Sequence, residues 1–237
     1  MKILLLGATG RLGSEIEKIL KDKKVTVSTI TRDMTQNPEK LAKEFGEKAI
    51  IVDVSLPEGT LNTLDSLKKM PAANQANLHM YICGVTGLNA EERQELTQAS
   101  ESFPICLVSN FSKGILLLEE IANAKTSSGV SVAEFAKQLG FESAIWESHH
   151  AKKLDAPSGT AITLAEAYQV KEEDVAATRV GYIKGEHTVL YSGPSECIRI
   201  THTAHTRALF AEGAVLMCEN AWKKDFSKKL YNKNELF

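Results

Sequence analysis

Two adjacent histidines, a lysine pair and an acid run into Pro-Ser-Gly-Thr in the stretch Glu147-Ser148-His149-His150-Ala151-Lys152-Lys153-Leu154-Asp155-Ala156-Pro157-Ser158-Gly159-Thr160-Ala161. These residue types move protons and bind anions. His149 or His150 can exchange a proton near neutral pH, and Lys153 can supply a cation or a second proton to the same ligand. Ser158 or Thr160 can cap a helix, while Gly159 lets a ligand approach the backbone. The free amides of a first helical turn favour an anion by up to ~2 kcal/mol. A carboxylate fits that description.

Residues 141–146 read as a short buried strand, and Ile162, Leu164, Ala165 and Ala167 after it fit a helix. The polar cluster is therefore expected on a strand-to-helix loop. At the N-terminus, an apolar strand at 3–6 is followed by Gly7-Ala8-Thr9-Gly10-Arg11-Leu12-Gly13 and by a helix with Leu12, Ile16, Ile19 and Leu20 on one face. That order seats a dinucleotide pyrophosphate on a helix N-terminus. Gly7 would allow the tight turn, Gly10 a close backbone approach and Gly13 close packing of helix on strand. A second strand at 25–31 ends in Thr31-Arg32-Asp33, where an arginine suits the 2′-phosphate of NADPH and an acid suits the 2′-hydroxyl of NADH.

Strand-like runs recur at 49–54, 80–83 and 105–108 with helical stretches between them, which predicts a doubly wound parallel sheet of Rossmann type. Ligands of such sheets lie beyond the carboxyl ends of the strands, where Gly84-Val85-Thr86-Gly87 and Ser109-Asn110-Phe111-Ser112 are candidates. From Lys113 the pattern changes to two helices, at 115–124 and 132–139, and then to strands at 179–184, 187–191 and 197–203 joined by tight connections. The expected fold is α/β, with a dinucleotide-binding domain over 1–112 and an α+β domain carrying an open mixed sheet over 113–237. The strands after 179 read as an antiparallel meander, the helix near 208–222 as able to pack back on the first domain, and the tail from 223 to 237 as peripheral. Arg207, at the start of that helix, offers a fork of donors for a carboxylate. His202 and His205 have metal-like spacing without a third ligand, so no metal is expected.

The composition fits this reading. At 237 residues, with 43% hydrophobic and 24% charged residues and a net charge of −2, the chain is an ordinary globular one with no electrostatic reason to bind nucleic acid or an anionic membrane. Its four cysteines lack a C-x-x-C pair, and no apolar run reaches membrane-spanning length. A cytoplasmic setting is expected. No G-x-S-x-G elbow occurs, and none of the tyrosines has a lysine four residues on, which removes the hydrolase and short-chain dehydrogenase readings.

The run Glu-x-His-His-x-x-Lys-x-Asp-Ala-Pro-Ser-Gly-Thr-Ala resembles the catalytic loop of the 4-hydroxy-tetrahydrodipicolinate (dihydrodipicolinate) reductases of lysine biosynthesis. The turns at 84–87 and 109–112 resemble the family's Gly-Thr-Thr-Gly and Ala-Asn-Phe-Ser segments beside the nicotinamide, with Val85 and Ser109 as departures. Thr31 stands where the family often has an acid. The resemblance implies reduction of a cyclic dicarboxylate by NADPH, with NADH also open, in a homotetramer built through the second sheet. It makes His149 the proton donor or acceptor, Lys153 the second proton donor, and His150, Gly159, Thr160 and Arg207 the grip on the substrate carboxylates. Gly7, Ala8, Thr9, Gly10, Arg11, Leu12, Arg32, Gly84, Val85, Thr86, Ser109, Asn110 and Phe111 would hold the cofactor. The competing reading, a non-catalytic NADPH sensor, explains the glycine loop and leaves the His-His-x-x-Lys loop a coincidence.

Overall fold

The computed structural model describes residues 1–237. The chain divides into two compact units, one formed by Met1–Phe111 with Phe210–Phe237, the other by Ser112–Leu209.

In the first unit, strands β1 (Lys2–Leu6), β3 (Ala49–Asp53) and β4 (Leu78–Cys83) are buried almost throughout, as expected of parallel strands covered on both faces. With β2 (Thr26–Ile30) and β5 (Ile105–Leu107) they alternate with α1 (Arg11–Asp22), α2 (Arg32–Thr35), α3 (Pro38–Glu44), α4 (Pro57–Lys69), α5 (Ala72–Gln75) and α6 (Ala90–Ala99). All pairings are parallel, and the sheet order is β10-β5-β4-β3-β1-β2, with β10 at Leu230–Asn232. One face packs against α1 and the part of α10 (Ala208–Ala221) in this unit. The other face packs against α3, α4 and α6.

The tail is not peripheral. Leu230, Tyr231 and Asn232 pair with Ile105, Cys106 and Leu107, and Tyr231 and Leu236 are buried. A strand of three residues carries too little periodicity to be read locally, and its partner lies far away in sequence. α10 comes so close to the sheet that a Cβ on Gly213 would lie 1.7 Å from the Phe111 carbonyl oxygen. The contact is with backbone and cannot swing away. Gly213→Ala is therefore expected to cost about 1–3 kcal/mol through overpacking. A thermal melt several degrees below wild type would show it; an unchanged melt would count against this packing.

In the second unit, α7 (Lys113–Asn123), α8 (Val132–Gln138) and α9 (Gly159–Ala167) accompany a four-stranded sheet of order β7-β6-β8-β9. β6 (Glu142–His149) runs antiparallel to β8 (Glu186–Ser192), which runs antiparallel to β9 (Cys197–Thr203), while β7 (Val175–Arg179) lies parallel to β6. The sheet is mixed and open, but the strand expected at 179–184 is instead β7, ending at Arg179. Gly181, at φ 53°, sits in the left-handed region that no strand uses, so the chain must turn there. Ile145, Val189, Leu164 and Tyr168 centre the core between this sheet and its helices. No helix is long and apolar enough to cross a membrane.

Candidate active site

Strand alternation decides what lies beneath the loop. Glu147 and His149, two residues apart on β6, share the face that also carries Ile145, and Glu147 is in register with His187 on β8, which is in register with His202 on β9. That face is covered by helices, so Glu147, His149 and His187 are buried together, with His202 half-buried beside them. Each of the two covering helices places its N-cap serine on one of them. Ser158, the N-cap of α9, lies 3.3 Å from His187 Nε2, and Ser112, the N-cap of α7, lies 3.2 Å from His202 Nε2.

The Glu147 side chain is fully enclosed. Burial opposes its ionisation, yet contacts from His149, Ser158 and Arg179 outweigh that and hold the carboxyl far below the usual range. Ser158 N–H donates to Oε1 at 2.9 Å and Arg179 Nη2 donates to the same oxygen at 2.7 Å. His149 Nδ1 stands 3.2 Å from Oε2. The N–H lies off the line of a well-directed hydrogen bond, so this is a close contact between carboxylate and imidazole. His187 is pushed down to about 4, first by desolvation and then by the neighbouring His149, so it is neutral at physiological pH.

His149 closes β6, and the loop proper begins at His150. His150 Nε2 meets Arg207 Nη2 at 3.3 Å; desolvation and the Arg207 charge both lower its pKa. Lys153 donates to both Asp155 oxygens at 2.8 Å, which keeps the Asp155 carboxyl below its ordinary value. Ser158, not Thr160, caps α9, its Oγ accepting from Ala161 N–H at 3.2 Å. Gly159 opens the helix with nothing within 4 Å of where a Cβ would be. His149, His150, Lys153, Gly159 and Thr160 thus follow one another along one loop and helix start, and Arg207 joins them through its contact with His150.

The other candidates lie in the first unit. Gly7 turns at φ 89°, where a Cβ would stand 2.7 Å from the Val54 oxygen, and a Cβ on Gly13 would stand 2.1 Å from the Gly7 oxygen. Gly10 is the N-cap of α1 and provides no side-chain cap, so the amides that follow, from Arg11 and Leu12 onward, are left for an anion such as a pyrophosphate. Ala8 is nearly buried, and Thr9 and Arg11 are exposed. A dinucleotide fits this cradle.

Gly84 leaves room for the Phe111 ring, which a Cβ would meet at 2.3 Å. Val85 is buried, whereas Thr86 and Ser109 are exposed and Asn110 is half-buried between Ser109 and Phe111. Arg32, largely exposed, pairs with Glu58 at 3.1 Å, and Asp33 pairs with Lys40 at 2.7 Å.

Sequence reading assigned no role to Arg179, His187 or Asp53. The first two are revealed only by strand register. Asp53 ends an otherwise apolar run, and its carboxylate accepts from Ser55 N–H, Ser55 Oγ, Thr60 Oγ1 and Tyr81 OH at 2.6–3.0 Å. Burial raises its pKa against these bonds, which fix the loop that Gly7 packs against. Glu147, His149 and His187 offer ligand atoms within 4.8 Å of one another, and the Arg179 guanidinium bonds the same carboxylate at Oε1.

Comparison with known proteins covers both units. The family profile described as "Dihydrodipicolinate reductase, N-terminus" matches residues 1–111, and "Dihydrodipicolinate reductase, C-terminus" matches residues 126–237. The chain belongs to the dihydrodipicolinate reductase family. A "4-hydroxy-tetrahydrodipicolinate reductase" of Campylobacter jejuni subsp. jejuni serotype O:6 is 32% identical, covering 99% of this chain and 98% of that one. Another, from Stenotrophomonas maltophilia, is 34% identical over 91% of this chain and 89% of that one. The structure described as "Dipicolinate bound Dihydrodipicolinate reductase from Paenisporosarcina sp. TG-14" superposes with a TM-score of 0.72 at 18% identity, covering 98% of this chain and 97% of that one, which shows the shared fold. Dihydrodipicolinate reductases are oxidoreductases that use a nicotinamide cofactor, and the glycine cradle at 7–13 is where this member would hold its dinucleotide.

Proposed function

We propose that this chain reduces 4-hydroxy-tetrahydrodipicolinate to tetrahydrodipicolinate in lysine and diaminopimelate biosynthesis. The observation that carries the reading is the gathering of His149, His150, Lys153, Arg207 and the open start of α9 around one loop, in a chain whose two halves both match the reductase family. When bound, the nicotinamide supplies the hydride. This chain's residues do the rest. His150, Arg207 and the amides at Gly159 and Thr160 hold the two carboxylates, and His149 delivers the proton that follows the hydride, with Lys153 as second donor. Lys153 is released for this work when the incoming substrate competes with Asp155 for its ammonium.

NADPH is the proposed cofactor. Arg32, which opens α2 just after β2, is the group that supports it, and Glu58 beside it balances that charge, so NADH is accepted as well. A homotetramer is proposed through the face of the second sheet opposite its helices. There Trp146 is 47% exposed with the Arg199 guanidinium over its ring, and Thr188 bonds Thr201 across two strands. A cytoplasmic setting follows from the pathway proposed. The test is a spectrophotometric assay of both cofactors with freshly made substrate, beside Arg32→Ala. Turnover is expected with each cofactor. Loss of Arg32 should raise KM for NADPH by about tenfold and leave KM for NADH nearly unchanged. Absence of turnover with either cofactor, together with failure to bind a pyridine dicarboxylate, would overturn the reading.

A further inference from the structure

We propose that Glu147 is the positioning residue of the site: its carboxylate takes the Nδ1 edge of His149 and so makes Nε2 the atom that carries the proton. The inference rests on the reading of His149 as proton carrier and adds which nitrogen works and what makes it work.

Four observations support it. The carboxylate is immobile, because Ser158 N–H and Arg179 Nη2 both bond Oε1 and leave Oε2 for the imidazole. The carboxylate is ionised, since those contacts overcome its burial. A negative charge 3.2 Å from Nδ1 favours Nδ1 over Nε2 as the protonated nitrogen of the neutral ring. Finally, the opposite edge of the ring faces a residue with no side chain. A Cβ at Gly185 would stand 3.1 Å from His149 Nε2 and 3.4 Å from Cδ2, so glycine keeps that nitrogen uncovered.

The same carboxylate ties the loop to the strand. Arg179 Nη2 also donates to the Asp155 carbonyl, and Ser158 closes the loop at the start of α9. One buried acid therefore sets both the direction of the imidazole and the position of the residues expected to hold the substrate. In the proton step, the doubly protonated ring gives up its Nε2 proton to the reduced substrate and keeps the Nδ1 proton towards Glu147. A neutral imidazole remains and is reprotonated from water.

The charged and titratable groups around His149 are Glu147 on β6, Arg179 on β7, His187 on β8 with His202 behind it on β9, and His150, Lys153 and Asp155 on the loop. Of these, Glu147 is the carboxylate in contact with the ring.

The decisive experiment pairs kinetics with imidazole nitrogen NMR. Glu147→Gln, which keeps an acceptor for Ser158 N–H and Arg179, should lower kcat by about 100-fold with substrate and cofactor KM little changed. Glu147→Asp should recover much of the loss. In the wild type, the nitrogen shifts of neutral His149 should report the Nδ1-protonated tautomer, a measurement that needs no variant to fold. A protonated Nε2 there, or wild-type kcat in Glu147→Gln, would overturn the proposal. Full turnover in His149→Gln would instead overturn the proton-carrier reading beneath it, whatever the tautomer.

Discussion

His149→Gln should lower kcat by ~10²–10⁴-fold, about 3–5 kcal/mol of transition-state stabilisation, while leaving cofactor binding intact. Glutamine can fill the end of β6 and contact Glu147, but it cannot carry a proton between pH 5 and 9. Lys153→Ala should lower kcat on the same scale for a different reason. The ammonium that bonds both Asp155 oxygens is also the cation nearest the loop's acid, so its loss removes a proton donor and a charge that attracts the substrate. The two variants are distinguished by KM: substrate KM should rise markedly in Lys153→Ala and little in His149→Gln. Steady-state kinetics with saturating cofactor would read this directly. Undiminished turnover in both would remove these residues from the chemistry.

Mild acid should destabilise the second unit well before ordinary carboxylates titrate. His187 has a folded pKa near 4 against 6.5 when unfolded, so between those values the unfolded chain binds a proton that the folded chain refuses. Stability therefore falls as pH drops from 6.5 towards 4, by up to about 3 kcal/mol at roughly 1.4 kcal/mol per unit. Glu147 adds a second phase. Its folded pKa is depressed, so its contribution is complete above the unfolded value of 4.5 and is lost as pH falls below it. Urea unfolding at pH 7, 6 and 5 should show the first phase in the wild type and a flatter response in His187→Gln. An equal slope in the two proteins would mean that His187 is not the group responsible.

How much of this could be read from sequence depended on the range of the contacts. The glycine turn was legible because Gly7, Gly10 and Gly13 act on one another within seven residues, and the structure shows their close approach in backbone distances. The loop at 149–160 was legible for the same reason, down to the capped helix, although Ser158 rather than Thr160 proved to be the cap. What stayed hidden was set by partners distant in sequence. Nothing near His187 says that it faces Glu147; only the register of β6 against β8 does. Nothing near Arg179 says that it ends a parallel strand, since Gly181 breaks the run that periodicity would extend. β10 is the extreme case, three residues whose place depends wholly on β5.

That last strand bears on the order in which a newly made chain acquires its shape. The second unit is one uninterrupted segment, Ser112–Leu209, and has all its residues as soon as that segment leaves the ribosome. The first unit has its border strand encoded after residue 229, so the edge of β5 stays unpaired until that distant stretch has been made. During that interval the nascent protein carries a finished domain beside an open template for strand addition. A chaperone that shields the β5 edge at that stage would raise the yield of native protein without ever touching the reactive loop.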